Sequence, residues 1–309
     1  MEVSIVVPVF DSEGSLAQLV ERLEAVLSVN STGYELILVN DGSRDLSWSV
    51  VRELSSRYPW VIGIDLMKNY GQHNALLCGI RKARHPVIVT IDDDLQHPPE
   101  EIPKLLAKLN EGFDVVYGKP ENERHGLWRN LASIVTKFTL QNAMGARTAR
   151  SVSAFRAFRT SLRPAFENYR GAFVSIDCLL TWGTSHFGAV VVRHEPRRIG
   201  VSNYTFRKLL VHSLNMMTGF STLPLQITTY VGFTFTLVGF LVLAFVVGRF
   251  FWSGANVPGF PFLASTIAIF SGAQLFALGI IGEYLARMYV RTSEQPAYVV
   301  RETPANTTG

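Results

Sequence analysis

Apolar positions along this chain fall into short runs separated by polar turns, and their spacing alternates between two periods. Val3 to Val9 is a β-branched, apolar stretch that predicts a strand. Asp11-Ser12-Glu13-Gly14 breaks it, and Leu16, Leu19, Val20, Leu23 and Val26 then recur at helical spacing. The unit repeats with a strand at Glu35 to Val39, a turn at Asn40-Asp41-Gly42-Ser43 and a helix through Val50, Val51 and Leu54. A third copy has Val61 to Leu66 as strand, Asn69-Tyr70-Gly71 as turn and a helix from about Gln72 to Arg84. A fourth strand, Val87 to Ile91, runs into Asp92-Asp93-Asp94, and Asp114 to Tyr117 reads as a fifth. Strands alternating with helices predict an α/β domain with a mostly parallel sheet covered on both faces. Ligands of such sheets bind beyond the carboxyl ends of the strands, where all four polar turns fall.

The last third follows a different rule. Ser213 to Gly248 contains no Asp, Glu, Lys or Arg, and neither does Phe250 to Gly282. Each stretch exceeds the roughly 20 residues that a bilayer-crossing helix needs. Two transmembrane helices are expected at about 225–247 and 262–285, joined by a short loop from Trp252 to Pro261. Arg249 is alone at that loop, while Arg207, Lys208, Arg287 and Arg291 lie at the opposite ends. The positive-inside bias then puts both flanks, both termini and the N-terminal domain in the cytoplasm, with the hairpin in the inner or plasma membrane. Met1 to Pro8 lacks the basic start and small-residue cleavage site of a signal peptide. Between domain and hairpin, Phe206, Leu209, Leu210, Leu214 and Met217 recur at helical spacing with Arg207, Lys208 and His212 among them, which predicts an interfacial amphipathic helix over 203–222. The expected division is 1–202 for the catalytic domain, 203–222 for that helix, 223–290 for the hairpin and 291–309 for a cytoplasmic tail, with Thr303 to Gly309 disordered.

Composition narrows the field. With 309 residues and 48% hydrophobic residues there is room for one sizeable domain and a small second unit. The mean hydropathy of +0.19 reflects the hairpin. Two cysteines far apart, Cys78 and Cys178, offer neither a disulfide framework nor a zinc site. A net charge of +4 suits an anionic membrane surface and phosphate ligands better than nucleic acid.

The strongest chemical feature is Asp92-Asp93-Asp94-Leu95-Gln96-His97-Pro98-Pro99-Glu100. Carboxylates so close repel unless positive charge lies between them. In an extended segment Asp92 and Asp94 would point the same way and could share one hard cation, Mg²⁺ or Mn²⁺, with the phosphates of a nucleotide. A solvated acidic turn is the alternative that the same residues allow.

In order along the chain, Val7-Pro8-Val9-Phe10 with Glu13, Val39-Asn40-Asp41-Gly42-Ser43, Asn69-x-Gly71-Gln72 and the Asp92 to Glu100 stretch resemble the signature of family-two GT-A glycosyltransferases. Phe155-Arg156, Arg197-x-x-Gly200-x-Ser202-x-Tyr204, the hairpin, Gly282-Glu283-Tyr284 and Pro296-x-Tyr298 resemble the polyprenyl-phosphate branch of that family. The resemblance implies a Rossmann-like GT-A fold and inverting transfer of a sugar from a nucleotide sugar, with UDP favoured, to polyprenyl (undecaprenyl) phosphate at a bilayer. It implies that Pro8, Phe10, Glu13, Asp41, Gly42, Asn69, Gly71, Asp92 and Gln96 line the nucleotide-sugar site, and that Asp92 and Asp94 hold the metal. Arg129, Ser133, Lys137, Arg156, Arg197 and Ser202 are the candidates for holding phosphates, with Arg207 and Lys208 beside them for the lipid phosphate head group and Arg156 and Arg197 beside the reaction. Two positions depart from the pattern. Asn40 stands where the family commonly has a first acid, and Ala154 stands where several members have an acid before Phe-Arg, which removes the obvious general base. A polysaccharide synthase of the same superfamily would carry Gln-x-x-Arg-Trp and more spans, and a non-catalytic membrane scaffold would have lost the metal carboxylates. Self-association of the hairpin is left open.

Overall fold

The computed structural model describes residues 1–120, 152–171, 174–195, 223–253, 259–292 and 295–303. Met1–Ser213 and Glu294–Gly309 form one compact unit, and Leu214–Ser293 forms a second.

Strands β1 (Glu2–Val9), β2 (Gly33–Asn40), β3 (Val61–Leu66) and β4 (Val87–Thr90) are the apolar runs expected from the sequence. All four are parallel, with β1 between β2 and β4 and β3 beyond β2. Helices α1 (Leu16–Asn30), α2 (Ser47–Arg57), α3 (Gln72–Lys82) and α4 (Ile102–Asn110) connect or follow them. Side-chain alternation along the strands separates two packing faces. Val3, Ile5, Val7 and Val9 of β1 join the cluster formed by Leu16, Leu19, Leu23 and Leu27 of α1, Val51 and Leu54 of α2, and the buried leucines of α4. Val6 points the other way and meets α3 at Gly79. Each strand is buried on both faces, which is why its sequence is mostly apolar, and the polar side chains it does bury are paired, as Ser4 is with Glu35 and Asp65 with Asn40.

The remaining strands complete a sheet ordered β7-β5-β6-β4-β1-β2-β3-β8. Strand β5 (Val115–Pro120) is separated from β4 by β6 (Arg156–Arg159), which runs antiparallel to both. Strand β7 (Phe187–Val192) lies parallel to β5, and α5 (Ile176–Gly183) precedes it. The far edge is closed by β8 (Val300–Glu302), antiparallel to β3. The domain expected over 1–202 receives the chain again after the apolar helices. Because the chain goes from β1 to β2 on one side and reaches β4 on the other, the loops after β1 and β4 diverge over neighbouring strand ends. That is the topological switch point where such sheets leave a crevice.

In the second unit, α6 (Leu223–Ser253) and α7 (Phe260–Thr292) run over the two expected spans. Their 31 and 33 residues exceed a hydrocarbon core of about 30 Å at about 1.5 Å per residue. Leu225–Arg249 and Ile269–Tyr289 are long and apolar enough to cross a membrane, and their large side chains, among them Phe233, Phe240, Leu275 and Phe276, are exposed. Phe235 meets Phe270 edge-on, with ring centroids 5.7 Å apart. Near the end of α7, Arg287 donates to Glu283 Oε1 at 2.7 Å, the intrahelical ion pair that their spacing predicts. The 203–222 segment expected as an interfacial helix lies outside the described residues.

A Cβ on Gly79 would lie 2.4 Å from Val6 Cγ1 and 3.2 Å from Val39 Cγ2, so α3 sits on the sheet at glycine distance. Replacing a helical glycine by alanine ordinarily gains about 1 kcal/mol. Gly79→Ala is expected instead to lose about 1–2 kcal/mol net through overpacking, measured by denaturant unfolding of the full chain in detergent.

Candidate active site

The loop after β1 is positioned by the acidic turn after β4. Asp93 Oδ2 accepts from Ser12 Oγ at 2.5 Å and from the Phe10 amide at 3.2 Å. Phe10 is thereby held with 38% of its surface exposed at the crevice, while Pro8 is buried in β1. The same loop is tied to the one after β2. Glu13 Oε2 accepts from the Leu46 amide at 2.8 Å, its own amide donates to Asp45 Oδ2 at 3.1 Å, and Asp11 Oδ1 accepts from the Arg44 amide at 2.7 Å. Glu13, expected in the nucleotide pocket, thus uses one carboxylate oxygen to fix the approach to α2.

Asp41 is buried and braces the third loop. Its Oδ1 accepts from the Tyr70 amide at 2.7 Å and its Oδ2 from the Gly71 amide at 2.8 Å. Burial raises its pKa, and these two N–H groups offset only part of the rise. Gly42 has φ +66°, and a Cβ there would lie 2.5 Å from Asn69 N and 2.6 Å from the Lys68 carbonyl carbon. Only glycine lets the two loops touch. Gly71, at φ +97°, has open space where a Cβ would go, and its carbonyl starts α3 by accepting from the Asn74 and Ala75 amides. Asn69 is exposed beside it.

Asn40 has a partner that its own sequence neighbourhood does not show. Its Nδ2 donates to Asp65 Oδ1 at 2.7 Å, and its Oδ1 accepts from Ser43 Oγ at 2.5 Å. Asp65, on the adjacent strand, is buried. An acid at position 40 would set two carboxylates against each other, and the amide supplies the donor that the pair requires.

The acidic turn itself differs from the expected geometry. Strand β4 ends at Thr90, Asp93 and Asp94 lie in a turn, and Leu95 takes φ +60°. Strand alternation therefore does not align Asp92 with Asp94; the turn determines their relation. Asp92 Oδ1 accepts from Gln72 Nε2, at the start of α3, at 2.6 Å. Asp94 Oδ1 accepts from the Gln96 amide at 3.1 Å, so Gln96 contributes its backbone to the turn. Burial, then the charges of Asp94 and Asp93, push Asp92 up to about 7. Burial pushes Asp93 up to about 6 against the Ser12 and Phe10 hydrogen bonds. Among the described residues no group of three or more His, Cys, Asp and Glu side chains is gathered to hold a metal alone. An oxygen-rich, mutually repelling set of this kind fits a hard divalent cation that completes its shell from a phosphate ligand.

Arg156 lies behind the turn. It is 1% exposed, donates through Nε to Thr90 Oγ1 at 3.1 Å and forms an ion pair with Asp177 of α5. Tyr117 also donates to Asp177 Oδ1, at 3.0 Å. Arg156, a candidate for holding a substrate phosphate, is held here in a buried network, from which its charge still favours ionised Asp92. Nothing in the local sequence around Asp177 signals that it is a buried partner. Arg129, Ser133, Lys137, Arg197, Ser202, Arg207 and Lys208 lie outside the described residues. The chain leading to Arg197 is nevertheless anchored at the turn. The Glu195 amide donates to Gln96 O at 2.8 Å, and buried Glu101 accepts from Arg193 Nε at 2.7 Å and from Lys104 Nζ at 2.5 Å. His97 stacks on Phe155 and meets His194 edge-on, with centroids 5.3 and 5.1 Å apart. Burial and His194 push the His97 pKa down to about 4.

The sequence profile described as Glycosyl transferase family 2 matches residues 4–166. This chain belongs to that family. Its relatives include the undecaprenyl-phosphate 4-deoxy-4-formamido-L-arabinose transferases of Pseudomonas paraeruginosa, 34% identical over 98% of this chain and 91% of that one, and of Pectobacterium atrosepticum, 34% identical over 97% and 93%. The fold is GT-A. Glucosyl-3-phosphoglycerate synthase from Mycobacterium tuberculosis, solved with Mn²⁺, uridine diphosphate and phosphoglyceric acid, superposes with a TM-score of 0.53 at 18% identity, covering 70% of this chain and 76% of that one. The protein is a glycosyltransferase, and its acidic turn occupies the crevice at the switch point of the GT-A sheet.

Two variants separate the buried network from the crevice. Arg156→Met leaves Asp177 buried without its cation and is expected to cost about 3–5 kcal/mol of stability, whereas Arg156→Met/Asp177→Leu regains most of it; thermal unfolding in detergent reads both. Gly42→Ala is expected to keep the fold but weaken nucleotide binding at least about tenfold, because its Cβ must push the Lys68–Asn69 backbone out of place; titration calorimetry with UDP and Mn²⁺ checks it.

Proposed function

We propose that this glycosyltransferase moves a sugar, with inversion, from a nucleotide sugar, UDP-linked by preference, to undecaprenyl or another polyprenyl phosphate, giving a lipid-linked sugar for cell-envelope glycan or glycolipid modification. The observation that carries the reading is the 34% identity over 98% of the chain to a transferase named for undecaprenyl phosphate, a match that includes the apolar helices. The UDP and Mn²⁺ bound by the M. tuberculosis synthase support the donor and metal assignments through a shared fold.

Asp92 and Asp94 would hold Mg²⁺ or Mn²⁺, which when bound neutralises the charge developing on the departing diphosphate. Gln72 orients Asp92, Asp93 fixes the loop carrying Phe10 and Ser12, and Asp41 fixes Tyr70 and Gly71. A polyprenyl phosphate is anionic at neutral pH, so its oxygen attacks the anomeric carbon without first losing a proton to a strong base. Ala154 fits that economy, and its carbonyl is engaged by Thr90 Oγ1 at 2.6 Å. Positioning and charge neutralisation then carry the catalysis. Arg197, with Arg129, Ser133, Lys137 and Ser202, would grip the acceptor phosphate, and Arg207 and Lys208 would meet the lipid head group.

Helices α6 and α7 would cross the bilayer as a hairpin. The chain leaves the catalytic unit before α6 and is back in its sheet at β8, so both ends of the hairpin lead to one unit. Together with the arginines and lysines flanking the apolar stretches, this supports a cytoplasmic catalytic unit. The same helices offer a surface for self-association.

Purified full-length protein, given undecaprenyl phosphate, Mn²⁺ or Mg²⁺ and a panel of UDP-sugars, is expected to form a lipid-linked product separable by thin-layer chromatography. EDTA should abolish it and added Mn²⁺ restore it, and Asp94→Ala should reduce turnover at least about a hundredfold. Absence of product with every donor, or undiminished turnover in Asp94→Ala, would sink the proposal. Arg197→Ala is expected to lose turnover with an unchanged melting curve; unaltered kinetics would remove it from the acceptor site.

A further inference from the structure

The segment that follows α7 is docked on the catalytic unit by more than its three-residue strand. Ala297 is buried, Tyr298 lies under the Arg81 guanidinium at 5.6 Å from its ring centroid, and the Met67 amide donates to Val299 O at 2.9 Å. Arg301 then does two things. Its Nη2 donates to Met67 O at 2.7 Å, and its Nη1 lies 3.6 Å from Asp65 Oδ2.

Asp65 is the carboxylate that receives the Asn40 amide, so the ion pair continues into the loops around the crevice. Asn40 Oδ1 accepts from Ser43 Oγ at 2.5 Å, and Ser43 Oγ accepts from the Asp11 amide at 3.1 Å. Asp11 itself sits at φ +51°, a conformation that costs a non-glycine residue energy and needs its hydrogen bonds to persist. Asp11 adjoins Phe10, and Asn40 adjoins Asp41. One uninterrupted polar chain therefore joins Arg301 to both loops of the nucleotide pocket.

We infer that Arg301 and Asp65 are positioning residues for the donor nucleotide: through Asn40 and Ser43 they set the loops that receive it, making the post-hairpin tail a working element of the donor pocket. The inference rests on the nucleotide-sugar reading above. It gives position 40 a reason to be Asn, because only a donor at that position can satisfy an acid already committed to Arg301. It also separates the effects on the two substrates, because the chain ends at the loops after β1 and β2 and does not involve the residues proposed for the acceptor phosphate.

The test measures binding of UDP with Mn²⁺ by calorimetry, and KM for donor and for undecaprenyl phosphate, in full-length protein. Arg301→Ala and Asn40→Asp are each expected to weaken UDP binding and raise donor KM about tenfold, the scale of one charge-assisted hydrogen bond, with acceptor KM unchanged. Arg301→Lys should recover some of the loss. Asn40→Asp/Asp65→Asn restores an amide–carboxylate pair with its ends exchanged but leaves Arg301 without its carboxylate, so it should recover part of the Asn40→Asp loss without reaching wild-type affinity. Melting curves identify any variant that unfolds, and Arg301→Lys and the exchanged pair then decide the matter. Wild-type binding of UDP with unchanged affinity in Arg301→Ala and Asn40→Asp overturns the inference, as does failure of the exchanged pair to recover or an equal rise in both KM values. Failure of the wild-type protein to bind UDP overturns the donor assignment instead.

Discussion

Adjacent carboxylates at the end of a buried strand repel one another, and everything around the crevice is arranged to hold them despite that repulsion. The cost is visible in the raised pKa values of Asp92 and Asp93, driven first by burial and then by neighbouring charge. Donors come from elements far apart in the chain: Gln72 at the start of α3, and Ser12 with the Phe10 amide in the loop after β1. The cation behind them, Arg156, is buried and paired with Asp177, so it moderates the acids without neutralising them. Among the described residues the acids are left short of positive charge, and such a set gains most from a divalent ion arriving with its phosphates.

Acids of the crevice also act as mechanical ties. Asp93 binds the first loop, Asp41 the third, and Glu13 the second, so the loops form a net in which each knot is a carboxylate accepting backbone N–H groups. Such a net fixes loop backbones that lack sheet or helix bonds of their own, and it explains why the turn regions hold so many acids of which few are free to touch a ligand. Its geometry also depends on glycine at one contact, Gly42 against Lys68–Asn69, where any side chain would force the loops apart.

Local periodicity carried the fold and left long-range pairing unread. The strands from β1 to β4 and helices α1 to α3 follow their apolar spacing closely, because burial on both faces leaves no freedom in those positions. The acidic turn was legible as chemistry but not as shape, since the positive φ of Leu95 has no signal in an ordinary leucine. Arg156 looked like a phosphate ligand because its partner lies 21 residues away on another element, and Asn40 looked like a weakened acid because Asp65 is 25 residues away. Strand β8 is three residues long and mostly polar, too short for any period to reveal it. Family resemblance supplied what periodicity could not, the order of the motifs and the near-complete length over which relatives align.

The position of β8 in the chain has a consequence for how the protein is made. Strand β3 is completed by residue 66, but the partner that covers its edge is not synthesised until residue 302, after both apolar helices. Throughout that interval the nascent domain exposes an unpaired strand edge, the kind of surface that invites wrong partners. A ribosome that stalls between α6 and α7, or a chain cut before β8, leaves the edge open. Completion of the sheet thus reports that the chain has been made through both apolar helices.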